Sequence, residues 1–140
     1  MMPDARCLLG VRHYAATTQQ VRLAKLWIRE ILTGHVDKDT LFDVSLCAVE
    51  LVDNARKHGR ADGVITVSVY TGADLIRIEV TGESQGEAVP RVTGNLLTED
   101  GHGLKIVSGL AKQWGAHQDR DLNQIVWCEF LRECGTQNKG

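Results

Sequence analysis

Proline is scarce in this 140-residue chain, which holds only Pro3 and Pro90. With 43% hydrophobic and 24% charged residues as well, the chain is neither collagen-like nor disordered. An excess of one charge is missing too. Sixteen Lys and Arg stand against eighteen Asp and Glu, a formal net charge of -2. No global basic field exists to hold nucleic acid or an anionic membrane, although a local basic patch stays compatible with these numbers. None of the four cysteines, at 7, 47, 128 and 134, forms a C-x-x-C pair. That excludes a zinc clip and a redox motif. Cys47 and Cys128 sit inside apolar runs and read as small core residues. The five histidines, at 13, 35, 58, 102 and 117, make no H-x-x-x-H pair, which argues against a metal hydrolase. No apolar run is long enough to span a bilayer, and Met1-Met2-Pro3-Asp4 lacks the basic and apolar pattern of a secretory signal. A reduced, cytoplasmic protein is the expectation.

What is present is one domain's worth of patterned chain, with no internal repeat and no low-complexity tract. Residues 7 to 13 offer a weak first strand through Leu8, Leu9 and Val11. Val21, Ala24, Ile28 and Ile31 recur at helical spacing across Thr18 to Thr33, and Gly34 marks the stop. Asp37 or Asp39 can cap a second helix that runs to about His58, with Leu41, Val44, Ala48, Leu51, Val52 and Ala55 as its buried stripe and Gly59 at its end. The period then changes to two. Ile65, Val67 and Val69, then Ile76, Ile78 and Val80, alternate with polar residues on either side of Thr71 to Asp74, which predicts a hairpin with one buried face.

Residues 81 to 100 are a long irregular stretch, a length compact domains seldom keep without using it. A third helix is expected from Leu104 to Trp114, and a last hairpin from residues 116–120 and 124–131. Helices, strands, helix, strands in that order predict an α+β fold: a single-domain two-layer sandwich over 1–131 with helices on one face of a mostly antiparallel sheet, followed by a flexible tail over 132–140.

Two segments carry chemistry. On the second helix, Glu50, Asn54 and Lys57 fall on one stripe, expected to lie off the apolar one. Asn54 can ligate Mg²⁺ through its side-chain oxygen, and Glu50 can orient or deprotonate a nucleophile beside that metal. The plainer alternative is a solvated polar face with an i,i+4 hydrogen bond. The second segment, Gly101-His102-Gly103-Leu104-Lys105-Ile106-Val107, sets two glycines at a helix start. There a backbone can approach a phosphate and the helix dipole favours it; a turn followed by a cap is the alternative.

Together these segments resemble the Bergerat-fold ATPases of the GHKL superfamily, most closely the single-domain anti-sigma-factor serine kinases. Glu50-Leu51-Val52-Asp53-Asn54-Ala55-Arg56-Lys57-His58-Gly59 is similar to their N box, and Gly101 to Val107 to their second glycine box. Trp114-Gly115 and the closing Ile125 to Phe130 also fit, so that the resemblance spans roughly residues 15 to 131. It implies ATP and Mg²⁺ as cofactors, Glu50 as the catalytic residue and Asn54 as the metal ligand. Lys57, Gly82, Gly86, Gly101, His102, Gly103 and Leu104 would join Asn54 around the nucleotide. The 81–100 stretch would be a lid, ordering with nucleotide and so coupling it to partner exchange.

One position departs from the family. Between its two boxes the family carries an aspartate, in a D-x-G-x-G motif at a strand end, that accepts a hydrogen bond from the adenine amino group. Here the strand Leu75 to Val80 runs into Thr81-Gly82-Glu83-Ser84-Gln85-Gly86, so Gly82 stands in the aspartate's place. A hydrogen bond to a charged group is worth about 1.5–3 kcal/mol, or roughly one to two decades of affinity. Two functions follow. The first is an ATP-dependent serine/threonine protein kinase that binds a sigma factor or a STAS-domain anti-anti-sigma protein and regulates transcription by partner switching. The second is a nucleotide-free, non-catalytic protein-binding regulator on the same scaffold. The resemblance also implies a homodimer, and neither function involves direct contact with nucleic acid or a membrane.

Overall fold

The structure, a computed structural model, describes residues 7–83 and 102–132. The expected lid from residue 84 onward, Gly86, Gly101 and the tail after Arg132 lie outside these residues. No helix among the described residues is long and apolar enough to cross a membrane.

Strand β1 (Cys7–Ala15) leads into helix α1 (Thr18–Leu32). Thr17 starts this helix: its hydroxyl accepts the Gln20 N–H at 3.1 Å, satisfying one of the donors that every helix start leaves open. Val21, Ala24, Ile28 and Leu32 are buried, one side of the helix at its natural period. Gly34 follows at φ +91, in the left-handed region where a side chain is strained. Helix α2 (Lys38–His58) begins at Asp37, whose carboxylate accepts the Thr40 N–H at 2.8 Å. Its last turn carries Arg56, Lys57 and His58, at the end where the helix dipole favours cations. Val44, Cys47, Ala48, Leu51 and Val52 are fully buried.

Strands β2 (Val64–Thr71) and β3 (Leu75–Gly82) form the expected hairpin. Helix α3 (His102–Leu110), β4 (Gln113–Gln118) and β5 (Gln124–Leu131) complete the chain. The sheet order is β1-β2-β3-β5-β4 and every neighbouring pair is antiparallel. Ile65, Val67, Val69, Ile76, Ile78, Val80, Val126, Cys128 and Phe130 point to the helices and are buried. Each large aliphatic side chain buried there contributes about 1.5–3 kcal/mol against exposure. The result is an α+β fold, an antiparallel five-stranded sheet with three helices packed on one face among the described residues.

The other face of the sheet is polar and ordered. Arg77 pairs with Glu79 at 2.8 Å and Glu129 at 2.7 Å, and its guanidinium stacks 4.1 Å from the centre of the Trp127 ring. Trp127 in turn lies across Gly115, where a Cβ would stand 2.8 Å from the ring.

Two boundaries correct the sequence reading. The third helix stops at Leu110 rather than Trp114. Trp114 and Ala116 belong to β4 and face the core opposite Cys128 and Val126, because pairing with β5 outweighs a helical continuation. Arg132, assigned to the tail, is tied down: its N–H donates to Asp74 O at 2.8 Å and its side chain to His35 O at 3.1 Å and Gly72 O at 3.0 Å.

Candidate functional site

Helix α2 positions the acid–amide pair, and its packing against α3 sets where that pair lies. A cavity of about 330 Å³ between Thr40 and Asp43 near the start of α2, Leu110 at the end of α3, Lys112 just past it, and Phe130 of β5 places the end of α3 beside the start of α2. Helix α3 covers about 13 Å, so its glycine-opened start at His102 and Gly103 lies about that far from this end, and Asn54 lies about 16 Å along α2 from Asp43.

Asn54 is 8% exposed, and its Nδ2 is buried with no hydrogen-bond partner among the described residues. Its stripe was expected off the apolar face; Asn54 is instead an interior position of α2, a helix that packs against α1, α3 and the sheet. A buried polar group without a partner costs about 1–3 kcal/mol, so such groups are rare in folded proteins unless something else binds them. Glu50, one turn earlier, is half-buried. Lys57 is more exposed, and its Nζ stands 3.6 Å from Asp53, which also accepts from Arg56 Nε at 2.7 Å. Leu104 is 2% exposed and fills the core, so only its backbone N–H is available to a phosphate.

The end of β3 meets α2 one residue beyond Asn54. Gly82 is buried and pairs with Ile65, placing it on the helix side of the sheet. A Cβ on Gly82 would stand 3.2 Å from Ala55 Cβ. Glu83, the nearest acidic residue to the missing carboxylate, is engaged elsewhere. Its Oε1 accepts the Val64 N–H at 3.0 Å, and its carbonyl accepts the Arg60 N–H at 3.1 Å. Gly59 and Gly63 wrap this residue: a Cβ on either would come within 3.0 Å of Glu83 oxygens. The two glycines around the 59–64 turn were the available signal for the structural task of Glu83.

Compared with protein families, residues 14–128 match the model of the histidine kinase-like ATPase domain. The chain belongs to that family. Among curated proteins it matches none. In this histidine kinase-like ATPase domain, the described residues fit ATP at one end of the site and not at the other. The buried carboxamide of Asn54 suits a phosphate or its cation. A half-turn about Cγ exchanges its oxygen and nitrogen, so one position serves as acceptor or donor. At the Gly82 wall neither Gly82 nor Ala55, the described residues that meet there, has a side-chain acceptor for an adenine amino group. The thiols stand apart from this chemistry. Burial, with the Asp43 and Glu50 charges behind it, pushes Cys47 up to about 12, and burial raises Cys128 well above the ordinary thiol range. Both remain protonated core residues at neutral pH. No group of three or more His, Cys, Asp or Glu side chains that could hold a metal occurs among the described residues.

Proposed function

We propose that this histidine kinase-like ATPase domain binds ATP with Mg²⁺ and acts as a serine/threonine protein kinase of the anti-sigma-factor type, controlling transcription by partner switching in the cytoplasm. The observation that carries the reading is the interior carboxamide of Asn54, kept on a helix core position with its Nδ2 unmatched. Bound ATP and Mg²⁺ would supply the phosphoryl group and neutralise its charge, leaving the protein to position and to move one proton. Glu50 accepts the proton of the attacking serine hydroxyl. Asn54 holds the cation. Lys57 adds positive charge on the same stripe. Gly101, His102, Gly103 and the Leu104 N–H present the helix start to the phosphates, while Gly82 and Gly86 border the base. The phosphorylated partner in this reading is a STAS-domain anti-anti-sigma protein, the sequestered one a sigma factor, and the kinase a homodimer.

Gly82 favours a second reading, a nucleotide-free regulator that binds these partners without catalysis, because neither Gly82 nor Ala55 offers a polar side-chain atom. Calorimetric titration with ATP, with and without Mg²⁺, separates the two. Micromolar binding supports the kinase; no binding at millimolar ATP retires it. Glu50→Ala is expected to abolish phosphotransfer and leave the fold intact. An unfolded variant places Glu50 in the core and removes it from the proposed role.

A further inference from the structure

We infer that the base end of this site does not discriminate between nucleobases, so that the protein takes nucleoside triphosphates as a class and holds them by their phosphates. The inference rests on the ATP-binding reading. Four features of the β3 end carry it. Gly82 and Ala55 meet there, with 3.2 Å between the Cβ of Ala55 and the place a Gly82 Cβ would occupy, and both residues lack a side-chain polar atom. Thr81 pairs with Thr66 and Ile125 and so points to the opposite face of the sheet. The Glu83 carboxylate is held by the Val64 N–H at 3.0 Å and enclosed by Gly63. The Gly82 backbone runs inside the sheet between Ile65 and Gln124.

A wall without polar side-chain atoms still stacks or packs against a flat base, but no side chain in it reads an exocyclic group. Sites built to hydrogen-bond a substrate group reject analogues lacking it by about 10⁴–10⁵, whereas apolar pockets discriminate by only about 10–200-fold. Here adenine and guanine present similar faces and differ chiefly at the edge, which the wall leaves unread. What remains specific lies one residue away, where Asn54 is interior with a free Nδ2, and at the start of α3. Both features suit phosphate and its cation.

The test is calorimetric titration of the whole chain with ATP, GTP, CTP and inorganic tripolyphosphate, each with Mg²⁺. Dissociation constants for the three nucleotides within about tenfold of one another, with tripolyphosphate also binding, are the expected result. A preference for ATP over GTP above tenfold overturns the inference and leaves the ATP-binding reading standing. If none of the four binds at millimolar concentration, the ATP-binding reading itself fails and this inference goes with it. Glu83→Gln, which keeps an acceptor oxygen for Val64, is expected to leave the ATP to GTP ratio unchanged. Loss of ATP affinity with GTP affinity retained would make Glu83 a base-reading residue and overturn the assignment.

Discussion

Replacing Asn54 with alanine separates a binding role from a structural one. In the protein without nucleotide, the buried Nδ2 has no partner among the described residues, and removing it relieves about 1–3 kcal/mol. Alanine is also the better helix former by roughly 0.5 kcal/mol. Against this, deleting a side chain that is only 8% exposed leaves a small void costing on the order of 1 kcal/mol. The balance is a gain of about 1 kcal/mol, which for a 140-residue domain raises Tm by about 3 °C. With saturating nucleotide the order reverses. Ligand at a hundred times its Kd adds about 2.7 kcal/mol to the parent, or roughly 8 °C, and the variant forgoes that increment. Thermal melts with and without Mg-ATP read both effects. An Asn54→Ala variant that melts several degrees below the parent in the absence of ligand makes the carboxamide a structural hub. A variant that retains the full nucleotide shift removes Asn54 from the site.

Three more outcomes follow from local geometry. The Thr40 hydroxyl and N–H lower the Asp37 pKa. The contribution of this cap is therefore complete above the ordinary aspartate value of about 4 and fades as pH falls through the lower folded value. Asp37→Ala should cost about 1 kcal/mol at pH 7 and progressively less towards pH 3, as measured by denaturant melts at each pH. A thiol reagent at pH 8 should modify exposed Cys7 in the native protein but reach buried Cys47 and Cys128 only on unfolding, as read by peptide mass spectrometry. Gly115→Ala pushes a methyl into the Trp127 ring, 2.8 Å away. It should cost about 1–3 kcal/mol and shift the tryptophan emission; an unchanged melt would show that the ring has room to move.

Much of this fold was legible because its elements obey simple periods. Ile65-Val67-Val69 and Ile76-Ile78-Val80 alternate without interruption and are buried as expected. The α2 stripe through Val44, Ala48, Leu51 and Val52 follows the same logic at helical spacing. The failures arise where two periods fit the same residues. Leu110 and Trp114 stand four apart, as in a helix, while Trp114 and Ala116 stand two apart, as in a strand. Only the pairing of β4 with β5 decides between them. Asn54 was misplaced for another reason: a helix sequence shows which face is apolar, not which polar positions the neighbouring elements will cover. The order β1-β2-β3-β5-β4 was equally hidden, since strand exchange at an edge leaves no mark on hydropathy. The Glu83 cap on Val64 likewise joins residues nineteen apart through a turn whose shape only the folded chain defines.

The way β1 joins the sheet has a kinetic side. β2 and β3 close across a short turn, but β1 meets β2 only after the whole helical hairpin of α1 and α2 has been traversed. Closing a flexible segment of about fifty residues costs roughly 3.5 kcal/mol in chain entropy. The amino-terminal edge is therefore the part of the sheet least favoured early in folding and the first to detach on local opening. Amide exchange along Cys7–Ala15 should run faster than along β3, which is flanked by strands on both sides.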